Sequence, residues 1–176
     1  MGLVSKLQLR GIVGSRGEAS SLLQSAGDAV LVQRGTPRWL LLSCPCGCKA
    51  ELPINLDSRA GPAWRLYTHA TQGLSIFPSV WRDTDCHSHF IIWRDMIMLF
   101  VRANEDFQSS RPVQDVTALS EVLRKEIPAV GYISYVDLAD SVGAVPWDSL
   151  DACRYLVKNG VFHEGLGKRR GMFRRA

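Results

Sequence analysis

The sequence predicts an α+β protein in which a small zinc-stabilised β-rich domain is followed by a helical, winged-helix-like C-terminal domain. Three observations predict it. Short apolar runs punctuated by turn residues fill residues 1–102, the apolar spacing becomes helical after residue 112, and three of the five cysteines sit in Cys44-Pro-Cys46-Gly-Cys48. Of the 176 residues 46% are hydrophobic and 22% charged, the balance of an ordinary globular protein.

Leu7 to Val13 reads as a first strand, and Glu18 to Gln24 as a short helix with Ala19, Leu22 and Leu23 on one side. Residues 29–33 and 39–43 read as strands joined by Arg34-Gly-Thr-Pro-Arg38, which has turn chemistry. Further strands are expected at 51–56, 63–67 and 74–77, then a hairpin of 89–93 and 96–101 around Arg94-Asp95. The polar stretch 103–112, ending in Pro112, reads as a linker. Residues 113–176 form the second domain. Val116, Leu119, Val122 and Leu123 lie at helical spacing before Pro128, and Ser134 can cap a second helix that stops at Gly143. Pro146 suits the first turn of a third, which runs to Asn159-Gly160; Val161–Gly165 and Met172–Arg175 can pair as a wing.

The cysteine spacing is poor for a disulfide framework and suits metal thiolates, which points to a reducing cytoplasm. About forty residues after the cluster, Cys86-His-Ser-His89 supplies a thiolate and an imidazole three apart. Zinc takes four such ligands tetrahedrally. The candidate set is therefore Cys44, Cys46, Cys48, Cys86 and His89, which is more than four; one clustered thiol is a spare. His87 is the alternative to His89, which is preferred because it opens the apolar run Phe90–Trp93. His69, His163 and Cys153 read as ordinary residues. A site closed by protein ligands is structural rather than catalytic. No HExxH, nucleophile elbow or phosphate-binding glycine loop is present, so no catalytic residue is assigned. There is no apolar run long enough for a membrane span, and the N-terminus does not read as a signal peptide.

Residues 39–48, Pro53-Ile-Asn-Leu-Asp57, Gly61–Leu66, Phe77-Pro-Ser-Val-Trp-Arg82 and Cys86-His-Ser-His-Phe-Ile-Ile-Trp93 carry a further pattern. It resembles a bacterial zinc-binding protein family of unknown function, encoded beside ubiquitin-like conjugation genes. The resemblance covers about residues 28–101, and Lys49 stands where the family usually has glycine. It implies an accessory or ligase-like adaptor, acting non-covalently in a bacterial ubiquitin-like conjugation pathway and linked to antiviral defence. The implied partners are a ubiquitin-like modifier and its activating or conjugating enzyme. Trp64, Trp81 and Trp93 read either as core or as an aromatic binding surface.

The net charge of +4 is concentrated at Lys168, Arg169, Arg170, Arg174 and Arg175, a basic tail able to hold nucleic acid weakly and without sequence preference. The alternative function is a winged-helix DNA-binding regulator with a structural zinc. Against it, the recognition position reads Pro146-Trp-Asp-Ser-Leu-Asp151, and Asp148 and Asp151 would repel phosphates.

Overall fold

The structure is a computed structural model and describes residues 5–69, 73–100 and 116–176. It is mixed α+β and divides into two compact units, Met1–Arg111 and Pro112–Ala176. The expected linker, 103–112, lies outside the described residues.

The first unit holds two four-stranded sheets. One has the order β1 (Gln8–Val13), β2 (Asp28–Arg34), β3 (Thr36–Ser43), β4 (Glu51–Asn55); the other runs β5 (Arg65–His69), β6 (Gly73–Trp81), β7 (His89–Trp93), β8 (Met96–Phe100). All pairings are antiparallel except β1 with β2. That parallel pair needs a crossover, which α1 (Arg16–Ser20) supplies. The helix is shorter than the expected 18–24 and starts earlier. Ser15 accepts from the Glu18 amide at its N-terminus, and after Ser20 the Leu22 and Leu23 amides turn back onto Ala19 and Ser20.

Leu40, Leu42, Cys44 and Ile54 of the first sheet pack against Ile76, Val80, Phe90 and Ile92 of the second, making a sandwich core. The outer face of the first sheet, with Val30, Val32 and Leu41, is covered by Ala19 and Leu23. Buried Asp28 ties this face together by accepting from the Gln24 and Ser25 amides and from Arg10 Nε at 2.7 Å. The start of the chain is fastened to the far end of the unit. The Leu7 amide donates to Asp95 O at 2.7 Å and the Ile97 amide to Ser5 O at 2.9 Å.

The second unit contains α2 (Thr117–Glu126), β9 (Ile133–Ser134), α3 (Tyr135–Val142), α4 (Pro146–Lys158), β10 (Phe162–Glu164) and β11 (Met172–Arg175). The strands form one sheet in the order β10-β11-β9. The caps sit where local chemistry places them: Ser134 Oγ accepts from the Asp137 amide, Gly143 ends α3 at φ 65, and Pro146 occupies the first turn of α4. Leu123, Leu138, Cys153, Leu156, Phe162 and Phe173 form the core. The basic residues do not make a loose tail. Arg169 and Arg174 lie 5.1 and 5.6 Å from the Tyr132 ring, and Arg175 donates to Ile127 O at 3.3 Å.

Candidate metal centre and serine–histidine pair

The end of β3 delivers Cys44, after which the chain folds into a knuckle. The Cys44 amide donates to Ala50 O and the Gly47 amide to Cys44 O, with Gly47 at φ 86 and Lys49 at φ 66. Left-handed backbone costs a side-chain-bearing residue roughly 1–2 kcal/mol, a cost glycine avoids. Lys49→Gly is therefore expected to raise stability by about 1 kcal/mol, measured as a shift of the denaturant midpoint with unchanged slope.

The β6–β7 connection supplies a second knuckle, with Asp85 and His87 both at positive φ and Cys86 between them. Cys44, Cys46, Cys48 and Cys86 come together, their sulfurs all within 4.8 Å of one another. Cys44 Sγ lies 3.4 Å from Cys46 Sγ and 3.8 Å from Cys86 Sγ. A tetrahedral ion with sulfur ligands at about 2.3 Å sets those edges at about 3.8 Å, so the four thiols fit a metal ion. Ser88 Oγ lies 3.1 Å from Cys86 Sγ and 3.5 Å from Cys44 Sγ. Arg82 Nη1 stands 3.8 Å from Cys48 Sγ and 3.9 Å from Cys86 Sγ, and the same guanidinium pairs with Asp85. A positive charge is thus held beside the thiols. Burial pushes the Cys44 thiol up, whereas Cys86, against its own burial, is drawn down by hydrogen bonds to Ser88. Only a cation would bring all four to the thiolate together.

Two of the sequence expectations land differently. All three clustered thiols join the group, so none of them stands apart as a spare. His89 is not in it. Successive residues of a strand face opposite ways, and Ser88 faces the sulfurs, so His89 points away from them. Its Nε2 lies instead 3.1 Å from Ser79 Oγ. His87 is exposed and also outside the group.

Ser79 reaches His89 because β6 is irregular. Ile76 pairs with Ile92 and Val80 with Phe90, so Phe77, Pro78 and Ser79 together oppose Ile91. The bulge carries Ser79 onto the same side as the ring of His89. That ring is held between its two cross-strand neighbours, Trp81 at 5.2 Å and Phe100 at 4.6 Å between centroids. Among the described residues no carboxylate binds its Nδ1. Burial lowers the His89 pKa from the ordinary 6.5 and so favours the neutral ring, the form able to accept a proton from Ser79. Trp64 Nε1 donates to Ser79 O at 3.2 Å and fixes the backbone of the bulge. Trp93 is core, while Trp81 is 67% exposed.

One comparison bears on this segment. Residues 16–100 match the model of a family described as the bacterial ubiquitination-like system serine protease (BubE). The match takes in both knuckles, Ser79 and His89, and spans just under half of the chain. No curated protein and no solved structure matches. Ser79 was the residue the sequence reading missed. Its signal was the Pro78-Ser79 interruption of an otherwise apolar strand, since proline within a sheet marks an edge or a bulge.

Proposed function

We propose that the chain is a serine hydrolase of a bacterial ubiquitin-like conjugation system, with Ser79 as nucleophile, His89 as its base and a structural zinc on Cys44, Cys46, Cys48 and Cys86. The observation that carries this reading is the 3.1 Å approach of Ser79 Oγ to His89 Nε2, within the segment that matches the serine protease family. The bond cleaved is the acyl bond at the end of a ubiquitin-like modifier, in a precursor or in a conjugate.

Ser79 Oγ attacks the acyl carbon while His89 Nε2 takes its proton, then returns that proton to the departing amine and leaves an ester on Ser79. Water, deprotonated by the same nitrogen, attacks the ester and releases a carboxylate. A zinc held by Cys44, Cys46, Cys48 and Cys86 would supply no step; it would fix the β6–β7 connection and hence the two strands that present the pair.

The substrate can lie along β6. The Arg82 amide donates to Ser88 O in register with the Val80–Phe90 pair, so Trp81 and His89 form the intervening pair, whose side chains approach closely. The Trp81 backbone groups and the Ser79 amide therefore face away from β7, while the Ser79 carbonyl already accepts from Trp64 Nε1. On that side β5 reaches only to Arg65, opposite Phe77. An extended peptide can add there as a strand, with its acyl group over Ser79 and the Ser79 amide as an oxyanion donor. Trp64 also lines a groove of about 620 Å³ with Pro37, Leu56, Arg59 and Leu66, which suits side chains flanking the scissile bond.

The test is labelling with a fluorophosphonate, which reports an activated serine whatever the substrate. Ser79 should be modified, and His89→Gln should stop the reaction. Absence of labelling on a metal-replete, folded protein would sink the hydrolase reading.

The pH dependence follows from the lowered His89 pKa. The base is active when unprotonated, so labelling should fall as the pH is lowered, with its midpoint below the ordinary histidine value. Circular dichroism on the same samples separates this loss from acid release of the metal.

A second reading keeps the chain as a non-covalent adaptor. The exposed Trp81 favours it, because exposed tryptophans are frequent anchors of protein partners. The modifier or its conjugating enzyme would then bind wild type and Ser79→Ala equally, with no cleavage in either case.

The winged-helix reading of residues 112–176 rests on the order helix, strand, two helices and hairpin. Acidic Asp148 in the first turn of α4 directs that unit toward protein rather than duplex DNA.

A further inference from the structure

A second cavity, of about 390 Å³, opens on the outer face of the first sheet at the N-terminal start of α1. Ser15, Arg16, Val32, Arg34, Arg38 and Trp39 line it, together with Asp57 and Ala60. Asp57 is the one carboxylate among these residues, and its oxygens are already committed. Oδ1 accepts from the Arg59 amide and from Arg59 Nε at 2.8 Å, and Oδ2 accepts from Arg59 Nη2 and pairs with Arg38 Nη1. Those contacts, Arg59 foremost, hold the Asp57 carboxyl well below the usual range.

Three guanidinium groups therefore share a cavity with one spent counter-charge. Arg16 is laid over the indole of Trp39, 5.0 Å from its centroid, and Arg34 Nε donates to Gly14 O at 2.7 Å. Both forks are thus oriented in advance without a carboxylate among the described residues. Arg38 Nε is buried and has no acceptor.

We infer that this cavity binds an oxyanion, a carboxylate or phosphate group, through Arg16 and Arg34, with the Arg38 guanidinium adding positive charge to its wall. Planar guanidinium groups match such anions bidentately, and Trp39, Val32 and Ala60 wall the contact on its apolar side. The anion can arrive on an acidic segment of a protein or as free phosphate. This site lies on the sheet opposite to Ser79 and does not depend on the hydrolase reading.

Isothermal titration calorimetry on the full chain at low salt tests it with two probes, inorganic phosphate and a hexaglutamate peptide. Binding of the peptide alone assigns the site to an acidic protein segment, binding of phosphate alone assigns it to a phosphate group, and binding of both supports the shared chemistry. Arg16→Gln and Arg34→Gln should each weaken binding at least tenfold. Ala60→Phe, which fills the cavity and keeps every charge, should abolish it. Lys168→Gln, an equal charge loss elsewhere, should change nothing, and Ser79→Ala should bind as wild type. The inference is overturned if neither probe binds, if Lys168→Gln weakens binding as much as the arginine changes do, or if Ala60→Phe binds normally.

Discussion

Replacing Ser79 with alanine is expected to lower hydrolysis roughly 10⁴- to 10⁶-fold, the range seen when a serine nucleophile is removed. Fold and metal content should stay as they were, because Ser79 makes no contact with the four thiols. The assay is cleavage of the system's ubiquitin-like modifier carrying a C-terminal extension, followed by mass spectrometry. His89→Gln adds a sharper distinction. As the base, His89 can be lost with activity gone and one metal ion per chain retained; as a metal ligand, its loss would release the ion and destabilise the β unit together. Retention of cleavage by Ser79→Ala would place the nucleophile elsewhere and end the proposed mechanism.

Removing the metal is expected to have the largest effect on stability. Structural zinc contributes roughly 10–16 kcal/mol in small zinc-binding peptides near pH 7, as much as the whole folding free energy of many domains. The four thiols join the end of β3 to the β6–β7 connection, so an ion held by them would staple one sheet to the other. Chelation or Cys44→Ser should therefore collapse the β signal of residues 1–111 and end serine labelling at the same time. Cys44 should be more damaging to replace than Cys48, since Cys44 is buried in the sandwich core and Cys48 is exposed. Elemental analysis should give one zinc per chain. A chelated protein that keeps its fold would show that the cluster is not structural.

What could be read from the sequence was what is encoded locally. Ser134, Gly143 and Pro146 mark helix ends through contacts within a few residues, and α3 and α4 form between those marks. The Arg94-Asp95 turn and the thiol cluster are equally local. The partnership of Ser79 with His89 is not, because it depends on a bulge that shifts the register of β6 against β7. Cys86 and His89 have a spacing common among zinc ligands, but spacing does not say which way a side chain faces. Two left-handed residues beside Cys86 and the alternation of β7 decide that, turning Ser88 toward the sulfurs and His89 away. The crossover pairing of β1 with β2 and the stacking of the two sheets likewise depend on residues far apart in the chain.

The fastening of Leu7 to Asp95, and of Ser5 to Ile97, also has a kinetic meaning. Leu7 is buried in the core, yet its amide partner is made almost ninety residues later. During synthesis Leu7 leaves the ribosome well before the last hairpin of the unit and must wait for it before it can be seated. The local β5–β8 meander can form ahead of them, whereas closing the long loop between the two ends is entropically costly and slow. Until it closes, the apolar edge that Leu7 will cover stays open to other chains, the condition under which β proteins aggregate. Extensions at the N-terminus act on that late step, so they slow completion of the sandwich more than they weaken it once formed.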